Sequence, residues 1–326
     1  MRIVAVVFIL LSGLLNAQDS YFLKSSDLNG IQFRNIGPAL TAGRISDIAV
    51  NDKKPGEYFI TIASGGVFKT SNWGNTFTPV FDNYGSYSVG CITIDPHNPN
   101  RIWLGSGENN NQRSVGYGDG VYVSNDGGNS WKNVGLKESE HIHKIIVHPN
   151  PDSSDVIFVA AAGPLWKDGG ERGVYKSSDG GKTWTRILYI SEMTGVADLI
   201  MDPRDPNVMY AAAHQRRRHV WTYIGGGPES AIYKTTDGGV TWNKINKGLP
   251  GVDIGRIGLA ISPADPEYLY AIVEAAQGKG GFFRSLNRGA SWEKRSGYST
   301  SGNYYQEIVC HPYDPDIVYS MNTWLH

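Results

Sequence analysis

Six carboxylates in this sequence, Glu108, Asp119, Asp198, Glu229, Glu274 and Glu307, stand where they could serve hydrolysis. Cleaving a glycosidic bond engages two such groups flanking it, roughly 5–10 Å apart. Spacing along the chain does not pair them, and Glu108, Asp198, Glu274 and Glu307 are the catalytic candidates. Glu108 also opens a polar cluster with Asn109, Asn110, Asn111, Gln112 and Arg113. A basic cluster, His214, Gln215, Arg216, Arg217, Arg218 and His219, suits a ligand carrying carboxylates, such as a uronic acid or an acidic peptide. Trp166, Trp221 and Tyr223 offer aromatic platforms. Each has a plainer reading: an Arg run can be a solvated loop, and a loop Trp can serve packing.

The frame that positions these residues is repetitive. SNDGGNSW (124–131) returns as SSDGGKTW (177–184) and TTDGGVTW (235–242), and more loosely as TSNWGNTF (70–77) and SLNRGASW (285–292). The copies are 54, 53, 58 and 50 residues apart, a period that signals a propeller or solenoid. A Pro-rich signature keeps step, as in DPHNPNRIW at Asp95, DPRDPNVMY at Asp202 and HPYDPDIVY at His311. Between these marks each unit parses into four short strands. The fold class is all-β, a β-propeller of four-stranded blades with five full blades and a sixth that is partial or closed by the N-terminal segment.

Within such a blade the octapeptide reverses the chain between the third and fourth strands. Its glycines allow positive φ. Asn72, Asp126, Asp179, Asp237 and Asn287 can accept backbone N–H groups in an Asx-type turn. Trp131, Trp184, Trp242 and Trp292 are placed to cover the seam between blades. One carboxylate per turn disfavours calcium, and neither a metal nor a cofactor is expected. Octapeptides and Pro turns share one face. The unequal loops 107–119, 163–172, 214–230 and 274–281 share the other, where function usually sits on a repeated scaffold. Arg44, Lys144, Asp198, Arg256 and Glu307 occupy comparable places near the inner strands, which line the central channel.

The pattern S/T-x-D-x-G-x-T/S-W resembles the Asp-box, or BNR, repeat of sialidases, xyloglucan-type glycoside hydrolases and sortilin (VPS10) receptor propellers. The resemblance runs from about Tyr21 to the C-terminus. FRNIGP (33–38), GRI (43–45), GSGENNNQRS and QRRRHVW look most like large secreted bacterial proteins of the sortilin-like BNR class. It implies a secreted propeller holding a peptide or carbohydrate on the variable-loop face. The alternative is a glycoside hydrolase, sialidase- or xyloglucanase-like, or a truncated fragment of one. A sialidase would bring three convergent arginines, for which Arg44, Arg113 and Arg256 are the trio to examine. FRNIGP departs from the F/Y-R-I-P that such enzymes usually carry near the start. Neither that site nor the xyloglucanase aspartate pair maps onto this chain residue by residue.

Composition bounds the rest. The 326-residue chain has a formal charge of -1, which argues against a nucleic-acid partner. MRIVAVVFILLSGLLNA reads as a signal peptide, residues 1–17, and the propeller is expected over 21–326. That implies a secreted, periplasmic or cell-surface protein with no membrane span after cleavage. Cys91 and Cys310 read as two buried free thiols. The chain stops after TWLH, before a third strand of the sixth unit. Either Tyr21–Lys24 and Phe33–Ile36 complete that blade, or the chain is truncated.

Overall fold

A computed structural model describes residues 24–28, 30, 43–112, 115–322 and 324–326. It comprises two units, residues 1–41 and 42–326. In the first, Ser25–Leu28 forms a single 3-10 turn, with the Lys24 N–H donating to Asp27 Oδ2 at 2.9 Å. The leader, Tyr21–Leu23 and Phe33–Ile36 lie outside the described residues.

The second unit is a succession of antiparallel sheets. Sheet one holds β1 (Ile45–Val50), β2 (Tyr58–Ile62), β3 (Gly66–Thr70) and β4 (Thr78–Pro79). Sheet two holds β5 (Val89–Ile94), β6 (Ile102–Ser106), β7 (Val121–Ser124) and β8 (Lys132–Asn133). Sheet three holds β9 (Ile142–Val147), β10 (Ile157–Ala161), β11 (Gly173–Ser177) and β12 (Thr185–Leu188). Sheet four begins with β13 (Thr194–Asp202) and β14 (Asp205–Gln215), then extrudes a two-stranded ribbon, β15 (Arg217–Arg218) and β16 (Tyr223–Ile224). It resumes with β17 (Ala231–Thr235) and β18 (Asn243–Lys244). Sheet five holds β19 (Ile254–Ile261), β20 (Leu269–Ala275), β21 (Gly281–Ser285) and β22 (Glu293–Ser296). A sixth sheet pairs β23 (Ile308–Cys310) with β24 (Val318–Ser320). Each four-stranded sheet is a simple meander, as the sequence period requires.

Two details differ from the sequence reading. The fourth strands of three sheets shrink to two residues, because the exposed outer edge has little to pair with. At Asp202–Asp205 the Pro turn closes on one further pair, Asp202 with Asp205, across a register shift, giving an eleven-residue β14.

Core clusters lie between sheets. Phe59 and Val67 of sheet one pack with Ile92, Ile102 and Leu104 of sheet two. Phe158 and Val174 of sheet three meet Leu199 and Met209 of sheet four. Each fully buried side chain of this size contributes about 1.5–3 kcal/mol. No sheet buries both faces alone, so stability resides in the stacking.

Side chains also tie successive inner strands. Asp47 Oδ2 on β1 accepts the Ile92 N–H of β5 at 3.0 Å. Thr93 donates to the Ile145 carbonyl of β9 at 2.8 Å, and His143 Nδ1 lies 3.1 Å from the Ala197 carbonyl of β13. Asp198 Oδ2 accepts the Leu259 N–H of β19 at 2.8 Å, and Gln306, ahead of β23, donates to the Arg256 carbonyl at 2.9 Å. Asn109 Nδ2 reaches both Ser46 O and Glu307 Oε1 at 3.3 Å, so residues of the first and sixth sheets meet around one side chain. The array therefore curves about its inner strands, as a propeller does.

The octapeptide turns share one hydrogen-bond pattern. Ser124 Oγ donates to Asp126 Oδ1 at 2.8 Å and accepts the Gly128 N–H at 2.8 Å. Asp126 then accepts the Ser130 N–H and hydroxyl. The same arrangement recurs at Asp179 and Asp237; at Asn72 and Asn287 the amide oxygen accepts the backbone N–H while the amide nitrogen donates to the Thr76 or Ser291 hydroxyl. The donors, the Ser130 hydroxyl first, hold the Asp126 carboxyl down at about 2, and the Thr183 hydroxyl does the same to Asp179. Each turn is clipped to the Pro turn of its own sheet: Gly127 N–H to Asn100 O, Gly180 to Asp155, Gly238 to Asn207. The two signatures that keep step in the sequence touch in space.

Candidate functional site

The unequal loops meet on the opposite face, and several of their polar side chains, among them Glu108, Asn110, Asn111, Arg172, His214, Arg216 and Arg218, are buried there. Glu108 is 3 % exposed. Its carboxylate accepts from Arg44, from Ser64 Oγ at 2.8 Å, from Asn110 Nδ2 at 2.7 Å and from the Gly116 N–H at 3.0 Å. Four donors fix it as the anchor of loop 107–119 and leave it no free role in proton transfer. Asp198 is similarly engaged, with one oxygen on the Leu199 N–H and the other on that of Leu259. Arg113 lies outside the described residues.

The basic cluster turns inward, which corrects the expectation of a displayed cationic patch. The Arg216 guanidinium is buried, donating to Asn110 O at 3.1 Å, to Asn111 Oδ1 and to Gly163 O at 2.9 Å. Burial first, then the neighbouring Arg172 charge, brings it down to about 9. Arg218 donates to Asn111 O at 2.8 and 3.0 Å and lies 4.0 Å over the Tyr223 ring. Arg217 pairs with Asp168 at 3.4 Å. Gln215 Oε1 accepts the Glu229 N–H, and His214 Nε2 faces Gly225 O at 3.2 Å. The arginines' acceptors come from the loops of sheets two and three, so the loop of sheet four is stitched to both. Arg172 plays the same part inside loop 163–172 and was not among the sequence candidates. The sequence signal for it was weak, a lone Arg beside glycines.

What this face does display is aromatic. The β15–β16 ribbon carries Val220 and Trp221 at its tip, 83 % and 82 % exposed. The His219 and Trp221 rings stack at 5.3 Å, 18° apart. The Arg218 N–H holds the ribbon base to Leu165 O at 2.8 Å, next to the half-exposed Trp166. Glu274, at the end of β20, is half-buried, and its Oε2 accepts the Arg256 N–H at 3.3 Å. Burial raises its carboxyl above the ordinary value.

The inner strands enclose a cavity of about 470 Å³. Counting four residues back from each Pro-turn start gives Asp47, Cys91, Lys144, Asp198, Gly258 and Glu307. Of these, Asp47, Lys144, Asp198 and Glu307 line the cavity, and Arg256 joins them from one turn of strand earlier. Arg44 does not: it points to Glu108 and lies 4.9 Å from the Tyr304 ring. Asp47, absent from the sequence candidates, holds the expected place. Cys91 and Cys310 are free and buried, and burial pushes the Cys310 thiol up to about 12. Among the described residues no group of three or more His, Cys, Asp or Glu is placed to hold a metal, and no helix is long and apolar enough to cross a membrane.

These features define a propeller-like all-β chain with a scaffold face and an aromatic loop face. The family model Sortilin-Vps10 (sortilin, neurotensin receptor 3) matches residues 119–245. A xyloglucanase of a Paenibacillus species is 22% identical over 254 residues, 69% of this chain and 23% of that protein. The xyloglucanase Xgh74A of Acetivibrio thermocellus is 30% identical over 159 residues, 45% of this chain and 17% of that protein. The fold is that of the GH74 xyloglucanase from Xanthomonas campestris, with a TM-score of 0.64 at 16% identity over 85% of this chain and 43% of that one. The chain thus spans a quarter or less of the curated relatives it matches.

Proposed function

We propose that this chain is the glycan-recognising propeller of a xyloglucanase-type glycoside hydrolase, with its ligand held on the loop face. The similarity to xyloglucanases in sequence and in fold carries the reading, and it favours the hydrolase over a sortilin-like peptide receptor. The chemistry of the face agrees. Exposed indole surfaces such as Trp221 and Trp166 offer flat apolar area to the CH faces of a β-glucan. Glu274 is the loop-face carboxylate we assign to proton handling. Its raised pKa suits a general acid, and hydrolysis of this kind engages two carboxylates, of which it is one. The five turns with Asp or Asn are structural members of an Asp-box propeller, and Glu108 and Arg216 hold the loops. The apolar run at 1–17 suits export to where such glycans occur.

The test is xyloglucan binding and reducing-end release by the purified chain. Trp221→Ala is expected to weaken binding about tenfold. Glu274→Gln is expected to lower turnover about 10²- to 10⁴-fold with binding retained. A folded wild-type chain that neither binds nor cleaves xyloglucan would overturn the reading.

A further inference from the structure

The central cavity holds charged side chains whose hydrogen-bonding capacity is not taken up within the protein. Arg256 is 3 % exposed, yet its Nε and Nη1 have no hydrogen-bond partner among the described residues. Its Nη2 stands 3.9 Å from Glu307 Oε1, beyond hydrogen-bond reach. Lys144 is half-buried in the same wall, held charged by Asp47 and Asp198 against the cost of burial. His143 Nδ1 must donate to the Ala197 carbonyl, so its Nε2 is an acceptor, and it too is buried without a partner. Glu307, half-exposed to the cavity, accepts among the described residues a single long hydrogen bond, from Asn109. Leu259, Ile308, Ile200 and Met201 complete the lining with apolar surface.

Orphaned buried donors and acceptors each carry a desolvation cost that a matching ligand removes. Both kinds occur here: buried Arg256 donates and buried His143 accepts, and the less buried Lys144 and Glu307 add a donor and an acceptor beside them. Cations and anions alternate around the wall. A small anion would meet the carboxylates of Asp47, Asp198 and Glu307, and a small cation would meet Lys144 and Arg256. A hydroxyl group both donates and accepts, so a ring of hydroxyls satisfies both sets without adding charge. The C–H face of such a ring can lie on the apolar wall. The volume falls in the range of ordinary small-ligand pockets.

We propose that the cavity is a binding site for a small neutral polyhydroxylated ligand, a single sugar ring. The ring is either a free monosaccharide or the terminal residue of an oligosaccharide. Asn109 of loop 107–119 reaches the rim of this site, but none of its cavity-lining residues belongs to the aromatic ribbon.

Calorimetry with D-xylose, D-glucose and D-galactose, alongside cellobiose and D-glucuronate, tests it. At least one neutral monosaccharide is expected to bind wild-type protein with a roughly millimolar dissociation constant. Glu307→Gln and Lys144→Met should each weaken it at least tenfold, while Trp221→Ala leaves it unchanged. Should Lys144→Met fail to fold, Glu307→Gln decides. Cellobiose binding without monosaccharide binding would assign the site to chain ends; both outcomes support it if Glu307-dependent. No saccharide binding, binding of glucuronate alone, or binding abolished by Trp221→Ala and indifferent to Glu307→Gln would each overturn it. The last result would leave the loop-face reading standing.

Discussion

Positions four and five of the octapeptide both adopt left-handed backbone. Position four is Gly127, Gly180 and Gly238 in three copies, with φ of 72°, 70° and 70°, but Trp73 and Arg288 in the others, at 62° and 54°. Position five is Gly in all five copies. The reason is space. A Cβ on Gly127 would meet nothing nearer than 3.6 Å, whereas one on Gly128 would lie 2.9 Å from the Phe59 ring. Gly127→Ala is therefore expected to cost about 1 kcal/mol of stability, the left-handed penalty alone. Gly128→Ala should cost clearly more, because the ring is buried in the seam and cannot yield. Urea unfolding of the two variants checks this, and equal losses would refute the steric explanation. At this scale the sequence was legible, since a turn states its needs within eight residues. Glu108 and Arg216 were not: Arg216 bonds to Asn110 across 106 residues, and no local pattern reveals that a polar run will be buried by a distant loop.

Among elements, the recurring Trp does more than cover a seam. Trp131 Nε1 donates to Val80 O of the preceding sheet at 2.9 Å, Trp184 to Val134 O at 2.8 Å and Trp292 to Ile245 O at 2.8 Å. Trp242 packs in the matching seam, but its Nε1 is buried with no hydrogen-bond partner among the described residues. Phe77, the first copy's substitute, is exposed and makes an edge contact with Tyr58 at 5.9 Å. Replacing Trp by Phe keeps most of the apolar area and removes the donor. Trp131→Phe is expected to destabilise by about 1–2 kcal/mol, since it leaves Val80 O unpaired. Trp242→Phe should be near neutral, because it deletes an unsatisfied buried group. Denaturation midpoints of both variants distinguish the seam bond from packing alone; a larger loss at Trp242 would contradict it. The strands themselves could be read from the period, but the β15–β16 ribbon could not. Its two-residue strands carry no alternation, and its base is tied through the Arg218 N–H to Leu165 in the β10–β11 loop of sheet three.

For the molecule as a whole, the inner strands and loop face bury three histidines in cationic surroundings. His141, His143 and His214 are each held below the ordinary range, first by burial and then by the Arg216 charge, with His214 brought down to about 3. Arg172 adds to this at His141, and Arg256 at His143 and His214; backbone carbonyls oppose it at all three. An unfolded histidine titrates near 6.5. Below that pH the unfolded chain takes up protons that the native state refuses, so native stability is complete above about 6.5 and falls as the pH drops. One such group gives a slope of up to about 1.4 kcal/mol per pH unit. Asp198, Glu274 and Glu307 act oppositely, since burial raises their values and lets the native state bind protons first. The Asp126 and Asp179 turns lose their contribution lower still, as the pH falls from near 3.8 toward 2. Between about pH 6.5 and 5 the contribution being lost is that of the histidines. Unfolding free energy measured in urea is expected to decline steadily across that window. His214→Gln, which can keep a donor to Gly225 O, should make the decline shallower by about one proton. A flat profile in wild type, or an unchanged slope in His214→Gln, would show that these imidazoles reach solvent and are not part of the buried lattice that joins the sheets.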